Sequence, residues 1–184
     1  TINTANTVYY AVYQRTATAT LKTYKNQTGT KTGTAYMNSK GETTNASIGL
    51  GTTGNQTVGG ESFSARHWST SDAADSTSSV ALNGNASIWQ DTTYYASYQA
   101  TITGTFNYWD GSKAASATAT ATSYMNYNES YKYTNYTVPD AADDNRAKSG
   151  TSFTYRGVST ATEGNAATAT PTTQYKTFYS SYTI

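Results

Sequence analysis

Tyr94-Tyr95-Ala96-Ser97-Tyr98-Gln99 is the second appearance of a six-residue signature. Tyr9-Tyr10-Ala11-Val12-Tyr13-Gln14 stands 85 positions earlier and differs from it only by Val12 for Ser97. Each is followed by a run in which Thr alternates with small or apolar residues, Thr16 to Leu21 after the first and Thr101 to Phe106 after the second. Ala35-Tyr36-Met37-Asn38 is answered by Ser123-Tyr124-Met125-Asn126, so the second copy carries about three extra residues, and Phe178-Tyr179-Ser180-Ser181-Tyr182 gives a third marker near the end. Self-similarity at a fixed spacing is the signature of a tandem array of supersecondary units. It divides the chain into the end of a preceding repeat (residues 1–13), a first repeat (14–98) and a second (99–184).

Composition bounds what such repeats can be. Leu, Ile, Val and Phe together make about a tenth of the 184 residues, below the rough 20% typical of folded chains. Disorder also requires high net charge, and the formal charge here is +1. The 18 tyrosines supply the missing bulk, since a tyrosine ring packs while its hydroxyl finds a partner or water. Tyr and Thr favour pleated, half-buried surfaces, so the composition predicts a mainly β protein. The absence of cysteine excludes disulfides and thiolate chemistry. A charged fraction of 12% gives a surface of hydroxyls and amides, usual for exported proteins and poor for capturing nucleic acid. No apolar run approaches the roughly 18 residues of a membrane span, so membrane insertion is not expected. With no signal peptide and a start at Thr1, the sequence reads as a mature form or an excised fragment.

Taken in order, Val8–Tyr13 is expected to be the closing strand of the preceding repeat. Thr16–Tyr24 has the period-2 pattern of a half-exposed strand, Lys25–Gly29 is turn chemistry, and Thr30–Met37 returns as a hairpin. The Thr-x-Thr runs read as a solvent-facing strand edge. In the second copy Thr101–Trp109 leads into Asp110-Gly111, suited to a type I′ turn, and Ser116–Met125 returns. Ala46–Leu50 is a candidate short strand and Gly51–Gly60, with four glycines, a loop. In the second copy Asp140 is placed to cap one helical turn, with Arg146 and Lys148 toward its C-terminal end. Ser62–Thr70 matches Ser152–Thr160; a Ser/Thr/Ala/Asp loop follows each, and Tyr-rich strands (Thr92–Tyr98, Thr173–Tyr182) close both copies.

In this order the chain resembles the Listeria–Bacteroides repeat, the family of the internalin B-repeat. The residues carrying the likeness are Phe63, Trp68, Ser69, Thr70 and Tyr94–Tyr98 in the first copy, and Phe153, Gly157, Ser159, Thr160 and Phe178–Tyr182 in the second. His67 stands where that family has Gly, and Val158 where it has Trp. The resemblance implies two small β-grasp-like (ubiquitin-like) modules in series; small β-sandwich repeats are the alternative. It further implies a non-catalytic segment of a bacterial cell-surface or secreted protein, acting extracellularly as a stalk or adhesin array beside neighbouring repeats of the same chain. Alternatives are a phage virion fibre or decoration module that binds a host surface, and a carbohydrate-binding module.

The residues themselves offer little for catalysis. His67 is the single histidine; it lies between Arg66 and Trp68, with Asp72 and Asp75 nearby, and has no counterpart in the second copy. Zinc is not expected from one His and no Cys, and no cofactor is expected. Asp140, Asp143 and Asp144 fit no calcium-loop spacing and are offset by Arg146 and Lys148. The Asn-x-Ser/Thr triplets starting at Asn26, Asn45, Asn55, Asn85, Asn128 and Asn135 are what a chain this rich in these residues produces by chance. Aromatics remain. Tyr108 and Trp109 beside Asp110, with Tyr24 opposite Tyr108, mark a hairpin tip, and Tyr131, Tyr133 and Tyr136 alternate along one face. Tyr108, Trp109, Asp110, Tyr131 and Tyr133 are the candidate ligand-binding residues, because a ring beside Asp can stack on the apolar face of a sugar. The expected partner is a host-surface glycan or protein. The competing reading is that these rings plug a core short of aliphatics.

Overall fold

A computed structural model describes residues 8–162 and 170–184. Its elements are almost all strands: β1 (Val12–Thr23), β2 (Gln27–Asn38), β3 (Thr43–Thr44), β4 (Ala46–Gly49), β5 (Gln56–Val58), β6 (Glu61–Ser69), β7 (Val80–Ala81) and β8 (Asn85–Ile88). There follow β9 (Thr92–Trp109), β10 (Ala114–Asn126), β11 (Tyr131–Lys132), the single helical turn α1 (Asp140–Asp143), β12 (Arg146–Lys148), β13 (Thr151–Ser159) and β14 (Thr177–Thr183). The protein is mainly β. Its contacts fall into two compact units: unit 1 holds 1–56, 64–98 and 125–130, and unit 2 holds 57–63, 99–124 and 131–184.

Unit 1 is organised on β1. It pairs antiparallel with β2, from Val12 opposite Asn38 to Thr23 opposite Gln27. On its other side it pairs parallel with the start of β9, Leu21 opposite Tyr94. Ala17, Ala19 and Leu21 of β1 are buried while Thr18 and Thr20 are half-buried, the alternation that a one-sided sheet demands. From Ala19 to Lys22 the strand is paired on both sides, so there Thr20 lies on an outer face and not at an edge. β4 and β8 form a separate antiparallel pair with Ile48 opposite Ala86; Ala46, Ile48, Ala86 and Ile88 are buried and the residues between them exposed. Leu50 and Trp68 complete this core, the Trp68 indole donating to the Gly51 carbonyl at 3.0 Å.

Unit 2 repeats the scheme. The later part of β9 pairs with β10, and Thr105–Asn107 run parallel to Thr177–Tyr179 of β14. β13 pairs antiparallel with β14, and β12 with β13. Phe106 stacks on Phe178 at 4.9 Å, and Tyr136 meets Phe106 edge-on at 5.9 Å and Phe178 at 5.7 Å. Small motifs recur as well. Asn55 Oδ1 accepts from the Ala65 N–H at 3.0 Å and Asn145 Oδ1 from the Tyr155 N–H at 2.8 Å. The β5–β6 turn uses Gly59 (φ 59°) and Gly60 (φ 81°), the β12–β13 turn Ser149 (φ 50°) and Gly150 (φ 79°). Two successive left-handed residues are what a two-residue hairpin matched to strand twist requires.

Several expectations need correction. Only Val12 and Tyr13 of the stretch Val8–Tyr13 are strand, and they begin β1. The first hairpin turns at Tyr24–Asn26, where Lys25 (φ 57°) and Asn26 (φ 55°) are both left-handed, so Gln27–Gly29 already belong to β2. The loop Gly51–Gly60 contains β5, because its Gln56–Val58 finds a partner in β6. The second hairpin turns through Asp110–Lys113 with only Gly111 (φ 104°) left-handed, so it is not a type I′ turn. Asp140 does not cap α1: Pro139 holds that position, and no side chain caps the turn. The strand expected from Thr173 begins at Thr177, and part of the polar loop expected after Thr160 lies outside the described residues.

Candidate functional site

Tyr108 and Trp109 end β9 because Asp110 stops the strand. Asp110 Oδ1 accepts hydrogen bonds from the Ser112 N–H, the Ser112 hydroxyl and the Lys113 N–H, each at 2.8 Å. A side chain that takes over backbone donors in this way makes a tight local turn. These bonds, led by that from Lys113, favour the charged carboxylate and hold its pKa down at about 2. Its Oδ1 is committed to the turn.

Both rings are also engaged, by β12. The Trp109 indole donates to the Ala147 carbonyl at 3.2 Å. Lys148 Nζ lies 4.9 Å from the Trp109 ring centre and the Arg146 guanidinium 5.6 Å from that of Tyr108, both within cation–π range. Arg146 is itself anchored by Asp144 Oδ2 at 3.2 Å and by the Ala141 carbonyl, so it closes the C-terminal end of α1. Trp109, Arg146, Lys148, Phe153 and Tyr182 line a shallow groove of about 280 Å³. The Tyr182 hydroxyl is buried with no hydrogen-bond partner among the described residues. The chemistry on offer is a basic, aromatic recess without a free acid.

Tyr131 and Tyr133 form a separate feature of unit 2. Their rings stack at 5.8 Å and 4°, with Phe63 5.9 Å from Tyr131. They are 36% and 40% exposed, so the pair offers ring surface to solvent. Tyr136, the third member of the alternation, is buried in the Phe106–Phe178 cluster; for this residue the core-plugging reading is the correct one. The five candidate residues thus divide into a cation-covered tip and a tyrosine pair.

Register sets which residues correspond between the units. Leu21 faces Tyr94 and Phe106 faces Phe178, so Trp109, and not Tyr108, stands where Tyr24 stands in unit 1. Tyr24 is engaged too, donating from its hydroxyl to Glu129 at 2.6 Å and meeting Tyr98 edge-on at 6.5 Å.

His67 is buried, and its pKa is lowered by loss of solvation and then by the Arg66 charge, against a backbone contact from Ser76. An imidazole buried in β6 with its pKa lowered is a core residue. Among the described residues no three acidic or histidine side chains gather as a metal site, and no helix is long and apolar enough to cross a membrane.

What sequence reasoning missed is an apolar groove of unit 1. Tyr13, Tyr36, Met37 and Trp89 line about 240 Å³, and Tyr13 and Tyr36 are 56% and 45% exposed. The exposed Tyr-Met dipeptide opposite a tyrosine-rich strand start was the available signal. No protein-family model, no curated protein and no solved structure matches the chain.

Proposed function

We propose that the chain is a non-catalytic repeat segment of a bacterial cell-surface or secreted protein, extending and spacing that protein as a stalk that carries adhesive contacts. The observation that carries this reading is the duplicated architecture: in both units an opening strand runs parallel to the closing strand and an Asn side chain accepts from the backbone ten residues on. Repetition of one scaffold suits a spacer, which needs length and stability but no reactive group. The likeness of its strand and turn order to β-grasp-like surface repeats supports the same conclusion. Adhesive contacts of an array are individually weak and act by their number, so purified residues 1–184 should show no saturable binding on a glycan array or on whole cells at micromolar concentration. Specific binding lost in Trp109→Ala or Tyr133→Ala would replace the stalk with a receptor-binding module. That second reading, a carbohydrate-binding module, is favoured by one observation, the exposed parallel ring pair Tyr131–Tyr133.

A further inference from the structure

Unit 1 contains one turn twice. In 38–42, the Asn38 carbonyl accepts from the Gly41 N–H at 3.0 Å, and Asn38 Oδ1 accepts from the N–H groups of Lys40 and Glu42, both at 3.0 Å. In 126–130, the Asn126 carbonyl accepts from the Glu129 N–H at 3.3 Å, and Asn126 Oδ1 from the N–H groups of Asn128 and Ser130, both at 2.9 Å. Gly41 and Glu129 share the left-handed conformation, φ 82° and 57°.

The two turns differ in what they touch. Asn126 Nδ2 donates to the Asp72 carbonyl at 2.7 Å, the Tyr127 ring packs 4.9 Å from Tyr95, the Tyr127 carbonyl accepts from the Asn26 N–H at 3.3 Å, and Glu129 accepts from Tyr24. Among the described residues Asn38 Nδ2 bonds within its own turn, to Glu42 Oε2 at 2.6 Å. Met125 is fully buried, whereas its counterpart Met37 is 40% exposed; Tyr98 is fully buried, whereas Tyr13 is 56% exposed.

We infer that the face of Tyr9, Tyr10, Tyr13, Tyr36, Met37 and the 38–42 turn is a docking surface for another repeat of this same kind, carried in series. That repeat takes Tyr9–Tyr13 as its closing strand, as unit 1 takes Tyr94–Tyr98. It seats the 38–42 turn as Tyr24, Asn26, the Asp72 carbonyl and Tyr95 seat 126–130. The argument is continuity: the same turn, after the same Tyr-Met-Asn sequence, already has such a seat within this chain. Ser39 and Gly41 replace Tyr127 and Glu129, so this contact keeps the Asn and Met elements and loses one ring and one carboxylate. The inference rests on the repeat-array reading above and adds how repeats grip one another.

The test is a chain of residues 8–184 with a duplicate of residues 14–92 joined ahead of Val8, which keeps the 85-residue spacing, compared with residues 1–184 by hydrogen exchange. Docking predicts that amides of Val8–Tyr13 and Tyr36–Glu42 exchange at least about tenfold more slowly in the extended chain. Met37→Asp should abolish that protection in the extended chain, while in residues 1–184 the amides of Ala19–Lys22 paired with β9 stay protected. A duplicate that folds while those amides stay unprotected overturns docking and leaves the array reading intact, since the repeats would then be independent beads. A duplicate that stays unfolded overturns it too, because Tyr9–Tyr13 then closes no repeat. Binding on the glycan array bears on the array reading alone.

Discussion

The two units solve one packing problem with different side chains. Each must cover the inner face of a Thr/Ala sheet that has few large aliphatics of its own. Unit 1 uses the β4–β8 pair, and Gly33 of β2 makes room for it: a Cβ there would stand 2.9 Å from Ile48 Cγ1 and 3.0 Å from Ala46 Cβ. Unit 2 uses the Tyr136 ring, and Gly104 of β9 makes room for that: a Cβ would stand 3.0 Å from Tyr136 Cζ. The lesson is that both units keep the parallel pairing of opening and closing strands, while the filling of the core is exchangeable. Small residues in the sheet record which plug lies above them.

The sharpest way to break this comparison is to remove the plugs. Tyr136→Ala should destabilise unit 2 by about 3–5 kcal/mol and Leu50→Ala unit 1 by about 2–5 kcal/mol, read by denaturant unfolding. Equal effects on both units from either variant would deny that the cores are separate. The next effect is overfilling. Gly33→Val and Gly104→Val should each cost roughly 1–3 kcal/mol, because the neighbours are packed; a neutral result at Gly104 would mean the Tyr136 ring is not seated against β9. Smaller again is the pair of turns. Asn126→Ala should lose about 1–3 kcal/mol through its unsatisfied partners, whereas Asn38→Ala, at a half-buried position, should lose markedly less by the same thermal melt. The smallest concerns His67. Its pKa is depressed in the folded state, so the unfolded chain binds more protons near pH 6.5. The associated stability is present above that pH and lost below it; His67→Gln should flatten the slope of stability between roughly pH 7.5 and 5.5.

The repeat and its strands were legible because Thr/Ala alternation writes burial directly into sequence, as in Ala17, Ala19 and Leu21 against Thr18 and Thr20. The turn at Lys25-Asn26 was misplaced because glycine is the usual sign of a left-handed residue, and here Lys and Asn adopt that conformation. β5 was hidden in a glycine-rich stretch because its partner, not its composition, makes it a strand. The break expected between Tyr98 and Thr101 is absent: Gln99-Ala100 contains nothing that stops a strand, and β9 continues through both. At the candidate site, the aromatic tip was visible in sequence. The cations that cover it were not, since Arg146 and Lys148 reach Tyr108 and Trp109 only through the pairing of distant segments.

The parallel pairing of β1 with β9 has a mechanical consequence. When a chain is pulled from both sides of unit 1, tension enters along β1 and leaves along β9, which lie side by side and point the same way. The load then falls on the bonds between Ala19–Lys22 and Thr92–Tyr95 together, in shear, instead of opening them one at a time as a pulled hairpin does. The arrangement in which Thr105–Asn107 meet Thr177–Tyr179 gives unit 2 the same property. A tether under flow is held by such seams, and they are built from backbone, so a chain poor in aliphatic bulk can still resist being drawn out.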